Sequence, residues 1–422
     1  MRAMLWPILC GVAAGGFLVA QAQTPPPAAV SSPAVVDAAK FPTLQAAFDA
    51  VPEPGGIVRI PPGEYRITAP LVLSRGETRI EGSGAATKIV NLATSGEPAL
   101  IVRHPAWEQD KTRKLWRVQI ADLRVCGDPQ AVDAKSTEPQ GGDGILCQGI
   151  QELYLSGVSV DHHGGHGVCL IDCYEDPRIC DSIFTYCRQA GVNILNCHDI
   201  VVSANHFEEN YDALRCFDSF NLCMNGNNID DHLGNGVIIR NTYGSVLSGN
   251  MIEECNGTAV ILDQDCHGIT LSANVIAHHL EGGIDLRDAW GCTVSANTFV
   301  LVNRHSLKIG PKSGRITATG NTFCNSDIGG ETKRPREHEK PISRDLAYGV
   351  LLEGTSDIVL TGNVFSGLRN SAVTTQGKCE RVVLSGNVIH EVDTDQGGRR
   401  PIESAEAGTF VESANIGAGD RK

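Results

Sequence analysis

The sequence predicts an all-β chain wound as a parallel β-helix solenoid of about ten coils, with a short N-terminal capping helix. Three observations carry this reading. First, Asn205, Asn227, Asn250, Asn274, Asn297 and Asn321 follow one another at spacings of 22, 23, 24, 23 and 24. Each sits in one phrase (apolar, any, Ser/Thr/Asn, Gly/Ala, Asn, any, apolar), as in VVSANHF, VLSGNMI and TLSANVI, which returns at Asn363 and Asn387. Second, each repeat holds short runs rich in Val and Ile, broken by Gly and Asn, which read as three short strands and three tight turns per coil. Third, 46 Gly and only 5% aromatic residues suit a turn-rich β chain. A leucine-rich frame with a helical return is absent. The stacked asparagines read as structural: each amide can bond its neighbours in the coils above and below, and Asn tolerates a left-handed backbone.

In chain order, residues 1–22 read as a secretory signal peptide. Arg2 leads, an apolar run follows to Ala20, and Ala20-Gln21-Ala22 supplies a small-residue cleavage site. The run is short and Gly-rich for a membrane span, and no other stretch is apolar enough to be one. The expectation is a secreted or periplasmic protein with no membrane span after signal removal. Residues 23–40, rich in Pro, Ala and Ser, read as a flexible linker. Next, Leu44, Ala47, Phe48 and Val51 fall at helical spacing, with Thr43 as N-cap and Pro52 as stop. Such a helix would cover the open end of a β-helix. The run FPTLQAAFDAVPEPGGIVRIPPGEYRI, followed by LVLSRGETRIEGSG, resembles the N-terminal region of secreted right-handed parallel β-helix proteins of the pectate-lyase superfamily. The resemblance spans roughly residues 41–390 and implies that fold. It does not choose a reaction, because the superfamily holds lyases, hydrolases, epimerases, tailspikes and proteins without known activity.

Two loops interrupt the period, at 126–144 and 324–347, and the periodicity fades after Glu391, leaving 391–422 as a cap or tail. Net charge is −14, with no basic stripe, which argues against a nucleic-acid partner. The chain is expected to act as a monomer. Fourteen cysteines remain after signal removal. Cys173 and Cys197, 24 apart, either bridge adjacent coils or belong to a ladder of buried thiols that includes Cys147 and Cys216. No CxxC pair points to structural zinc.

A second strand family runs in register with the first: GVNILN, ALRCFD, GVIIRN, AVILDQ, GIDLRD and SLKIGP. If Val237, Ile239, Val260, Leu262, Ile284, Leu286, Leu307 and Ile309 point inward, the alternate residues point out. One outward stack is Asn193, Arg215, Ile238, Ile261, Asp285, Lys308, and the next is Leu195, Phe217, Arg240, Asp263, Arg287, Gly310. Asp218, Asp265 and Asp288 lie just beyond. The preceding turns add a titratable rim that includes His162, His163, His166, His232, His278, His279, Glu281, Arg304 and His305. A charge ladder of this kind can be mere mutual neutralisation. The abrupt change from Ile238 and Ile261 to charged residues favours a site on a long face suited to a linear polymer.

Two chemistries fit that face. In a polysaccharide lyase, a base removes the proton α to a uronate carboxylate while a cation neutralises it. Lys308 or His279 would be the base, with Arg240 and Arg287 holding the carboxylate; Arg215, Asp218, His232 and Trp290 complete the substrate contacts. Ca²⁺ held by Asp263, Asp265 and Asp288 is an alternative source of positive charge. In an inverting glycosidase, Asp263 and Asp285 would stand about 6.5–9.5 Å apart across a water. Gly165-His166-Gly167 resembles a polygalacturonase motif, but it precedes the acidic strands here and its companion motifs are missing, so it is discounted. The sequence reading is a carbohydrate-active protein acting on polysaccharide or oligosaccharide, with β-elimination of a uronic-acid polymer preferred over hydrolysis. A non-catalytic glycan-binding or surface-structural β-helix is the third reading, with Trp290 as the sugar-stacking candidate.

Overall fold

A computed structural model describes residues 34–127, 141–324, 346–404 and 408–417. The expected signal peptide, and most of the two long loops, lie outside the described residues. The described chain winds through three long parallel sheets of 17, 14 and 13 strands, here called sheets 1, 2 and 3. One rung runs Val201–Ser203 in sheet 1, His206–Glu208 in sheet 2 and Asp212–Phe217 in sheet 3, then re-enters sheet 1 at Cys223–Asn225. Each strand pairs with its equivalent in the next rung, as in Val201↔Cys223 and His206↔Asn228.

The coil count corrects the sequence reading: sheet 2 alone has 14 strands, so there are about 14 turns rather than ten. The missed rungs lie where insertions hide the period, for example between Thr87–Asn91, Arg124–Cys126 and Ser159–Asp161. The fold also extends beyond the expected bounds at both ends. Ala34–Asp37, within the stretch read as linker, is the first strand among the described residues and pairs with Gly56–Arg59. In the expected tail, Phe410–Ser413 and Ile416–Gly417 continue sheets 1 and 2.

The helix α1 (Leu44–Asp49) starts where its cap places it: the Thr43 hydroxyl accepts from the Ala46 N–H at 3.1 Å. Leu44, Ala47 and Phe48 turn into the core. Its neighbour Gln45 faces the first strand of sheet 3. The Gln45 amide donates to the Val72 carbonyl at 3.0 Å and accepts from its N–H at 2.8 Å. That contact satisfies backbone groups that an edge strand would otherwise leave free for another chain.

The asparagine phrase forms a buried ladder at the turn from sheet 1 to sheet 2. Asn274 is 3% exposed. Its Oδ1 accepts the backbone N–H and the side-chain amide of Asn250 at 3.0 and 2.9 Å. Its own amide donates to Asn297 Oδ1 at 3.0 Å and to the Leu247 carbonyl at 3.1 Å. The same pattern links Asn205, Asn227, Asn250, Asn274, Asn297, Asn321, Asn363, Asn387 and Asn415. The left-handed residue is not the Asn but the one before it, for example Ala204, Gly249, Ala273 and Ala296. That explains why the phrase carries Gly or Ala there.

The turn from sheet 2 to sheet 3 follows a second rule. A left-handed residue, such as His162, Glu209, Asp231, Glu254 or His278, is followed by one that points inward. The inward column therefore reads His163, Cys187, Asn210, His232, Cys255, His279, all at 1% exposure or less. This overturns the placing of His232 and His279 in a solvent-facing rim. His279 Nε2 bonds the Ile252 carbonyl at 3.1 Å and His232 Nδ1 the Asn210 carbonyl at 3.2 Å. The cysteines also resolve towards packing. Cys173 and Cys197 are buried and unbridged, and Cys147 and Cys216 lie in the core.

Two outcomes follow. Replacing Asn274 by Ala strands the Asn250 N–H and amide, at about 1–3 kcal/mol for each buried group left unpaired. Asn274→Asp removes the donors and also buries a charge. Thermal melting should therefore rank wild type above Asn274→Ala, and Asn274→Ala above Asn274→Asp. The second outcome concerns acid. Burial pushes the rings of His163, His232 and His279 down to about 4, against about 6.5 in an unfolded chain. Each ring takes up its proton only on unfolding, so its stabilisation is complete above about pH 6.5 and is lost as pH falls towards 4. Between those limits, unfolding of His279→Gln should take up about one proton fewer than wild type, read from the pH dependence of its unfolding free energy.

Candidate functional site

Alternation along each strand of sheet 3 presents one set of side chains to solvent, and the parallel register stacks them. Asp285 pairs in register with Lys308 of the next rung and Ile261 of the previous one. Arg240 pairs with Asp263. The first outward stack read from the sequence is therefore a run of real neighbours through to Lys308, and the second through to Asp263, about 4.8 Å apart per rung.

The densest group lies on the rungs of Gly282–Leu286 and His305–Ile309. Arg287 Nε donates to Asp285 Oδ2 at 2.8 Å. The Asp285 side chain is 9% exposed and its Oδ1 is buried with no partner. His305 is half-buried, and its Nε2, like Asp285 Oδ1, is buried without a partner among the described residues. Gly282 makes room for that ring, because a Cβ there would stand 3.0 Å from His305 Nε2. Burial pushes the His305 ring below the usual imidazole range; the Asp285 carboxylate pulls it back up, and Lys308 adds to the push. Lys308 Nζ reaches Glu353 Oε2 on the following rung at 2.9 Å. At the rim, Arg304 pairs with Glu281 at 2.7 Å.

Of the residues expected to form a site, Asp285, Arg287 and Lys308 are brought together, with Asp263 one rung away. Arg215 lies three rungs away through Ile238 and Ile261, or about 14 Å. It is clamped to the buried Asp212, with Nε at 2.7 Å from Oδ2. Ile238 and Ile261 face outward yet are only 7% and 3% exposed, and form an apolar floor between the two Arg–Asp pairs. Arg240 sits between them, its guanidinium 5.0 Å from the Phe217 ring centroid. His166, at the upstream end, is pushed down to about 4 by burial, with Arg215 adding to it.

His232 and His279 are core residues and do not reach this face. Asp218 lies on the turn beyond the sheet, where it accepts from Asn241 at 2.7 Å. Asp263, Asp265 and Asp288 do not converge as a metal cage. Asp265 is engaged by His267 at 2.6 Å and Tyr243 at 3.2 Å, and Asp263 accepts from the Gln264 N–H. Among the described residues, the one set of three such ligand atoms within 4.8 Å of one another is Asp230, Asp231 and Glu254, on a different turn. Sequence reasoning placed His305 in the rim but gave it no role. The missing signal was Gly282-Gly283 on the preceding rung, which clears space for an imidazole.

Among the described residues, no helix is long and apolar enough to cross a membrane. A family profile described as "Right handed beta helix region" matches residues 143–299. No curated protein sequence matches the chain. Similar solved structures include the Azotobacter vinelandii mannuronan C-5 epimerase AlgE6 A-module, at 16% identity, 90% coverage of this chain and 99% of that one, and a TM-score of 0.57. The catalytic unit of a GH87 α-1,3-glucanase from Streptomyces thermodiastaticus matches at 16% identity, with 92% and 70% coverage and a TM-score of 0.56. The pre-mature bacteriophage phi29 gene product 12 matches at 9% identity, with 90% and 56% coverage and a TM-score of 0.65. At these identities the likeness speaks for the fold, and with the three stacked sheets it settles it: the chain is a right-handed parallel β-helix protein.

Proposed function

We propose that this protein is a carbohydrate-active enzyme that removes the proton α to the carboxylate of a uronic-acid-containing polysaccharide, with β-elimination as the outcome. The observation that supports it is the group on sheet 3: two cations, Arg287 and Lys308, beside a half-buried imidazole whose Nε2 has no partner among the described residues. Proton removal next to a carboxylate needs a base and a neutralising positive charge in one place. Two of the similar structures are named for enzymes of polysaccharides, one of them acting at C-5 of mannuronan, the carbon next to the carboxylate.

In this reading the terminal nitrogens of Arg287, held in place by Asp285, receive the substrate carboxylate, and Lys308 adds charge from the next rung. His305 takes the C-5 proton. The C-5 electron pair forms the C-4=C-5 double bond, the C-4–O bond breaks, and the leaving oxygen takes up a proton. The His305 ring, held low by burial, is neutral and ready as a base at neutral pH. Arg215 and Arg240 engage sugars further along the face. The signal peptide read from the sequence of residues 1–22 favours a secreted or periplasmic setting for the same activity.

The test is a screen of purified protein against acidic and neutral polysaccharides, with and without Ca²⁺, following absorbance near 235 nm, reducing ends and C-5 proton exchange. Both absorbance and reducing ends are expected, and Arg287→Ala and His305→Ala should each reduce the rate by about 10²–10⁴-fold without a matching loss of melting temperature. Exchange without scission would replace elimination by epimerisation. Reducing ends without absorbance would mean hydrolysis and turn attention to Asp263 and Asp285, and no signal in any channel would sink the catalytic reading. A further consequence concerns pH. The deprotonated ring is the active form, so kcat/KM should hold at neutral pH and fall only below the ordinary imidazole value of about 6.5.

A further inference from the structure

Beyond the sheet 3 face, each turn back to sheet 1 sets one ring above the next. Tyr174, His198, Phe220, Tyr243 and His267 stand on successive rungs with centroids 4.5, 4.7, 5.3 and 5.4 Å apart. Trp290 is the next in register, paired with His267. The stack breaks there. Among the described ring pairs none joins His267 to Trp290, and the indole instead lies over the following rung, where a Cβ on Gly314 would meet it at 2.7 Å. The gap is a shallow depression of ≈ 430 Å³ lined by Asp265, His267, Gly268, Trp290, Gly291 and Arg315. Two glycines in left-handed conformation, Gly268 and Gly291, leave it open where other residues would fill it.

The chemistry of the lining narrows the occupant. Trp290 lines the gap with its indole. Asp265 is exposed, and its contacts with His267 and Tyr243 leave further lone pairs on its two oxygens. Arg315 is exposed, and its charge acts on Asp357 of the following rung, which is itself clamped by Arg381. A free anion would meet Asp265, and an apolar ligand would use none of the hydrogen-bonding capacity that Asp265 and Arg315 keep. Neighbouring hydroxyls on a sugar ring, each donor and acceptor, serve both, while the C–H face of the ring covers the indole. The place is right as well. Trp290 follows Arg287 by three residues on the same rung, at most about 11 Å of chain.

We propose that this break in the aromatic stack is an accessory subsite that holds one pyranose ring of the polysaccharide, next to the sugar engaged by Arg287. The proposal rests on the carbohydrate reading of the sheet 3 face. It gives Asp265 and Trp290 a shared role as sugar contacts, with Arg315 as their partner across the gap.

The experiment is affinity electrophoresis of the full chain in gels containing mannuronan, polygalacturonate or an α-1,3-glucan, comparing wild type with Arg287→Ala, Trp290→Ala, Trp290→Phe and Arg315→Ala. Retardation should weaken roughly 3- to 10-fold for Trp290→Ala and for Arg315→Ala, and less for Trp290→Phe, which keeps an aromatic face. Arg315 is exposed at the second position of the strand Gly314–Thr319, so its variant stays informative even if Trp290→Ala lowers the melting temperature. Wild-type retardation in Trp290→Ala and Arg315→Ala, with loss in Arg287→Ala, overturns the subsite alone. Loss in Trp290→Ala with none in Arg287→Ala upholds the subsite and overturns the reading of the sheet 3 face. A wild-type protein that no glycan retards overturns both.

Discussion

The structure depends on register. In a parallel β-helix each strand bonds only to its equivalents one rung away, and a slip of one residue would turn every inward side chain outward. The buried asparagine ladder fixes that register. Each amide reaches both the rung before and the rung after, so its four hydrogen bonds close only when successive rungs are aligned. The benzene rings of Phe299, Phe323 and Phe365, stacked 4.7 and 4.8 Å apart inside the same sheet, reinforce the alignment through packing.

Turn geometry decides what each residue near a strand end becomes. A single left-handed residue reverses the direction of the next side chain. His278 and His279 are adjacent in sequence, yet His278 takes the left-handed position and His279 is sealed in the core. Imidazoles share that column with Cys187, Asn210 and Cys255, and a low-dielectric interior keeps them neutral. The same rule moves the polar residues that remain outside onto two edges flanking the sheet 3 face.

On that face, charge is spent locally. The protein is acidic overall, but two Arg–Asp clamps, Asp212–Arg215 and Asp285–Arg287, hold guanidinium groups at fixed points along the solenoid with an apolar floor between them. Asp285 holds Arg287 through its Nε, whereas Arg215 is held through Nε and one terminal nitrogen by Asp212 and through the other by Gln189; a guanidinium fixed in this way meets a carboxylate at lower entropic cost. The imidazole of His305 stands beside the second clamp because the rung before it carries glycine.

The sequence alone determined the solenoid, the three-strand rung, the stacked asparagines, the capping helix and the two outward stacks on sheet 3. All of these follow from local periodicity, which a parallel register simply repeats. It undercounted the rungs where insertions lengthen the spacing, since a period cannot be seen through loops of unequal length. Only the tertiary structure decided the fate of His232, His279 and His305, because inward or outward at a turn is set by one backbone angle rather than by residue type. It also parted Asp265 and Trp290 from the catalytic candidates and gathered them, with Arg315 from the following rung, around one gap. That gathering depends on where side chains lean between rungs, which no spacing along the chain encodes.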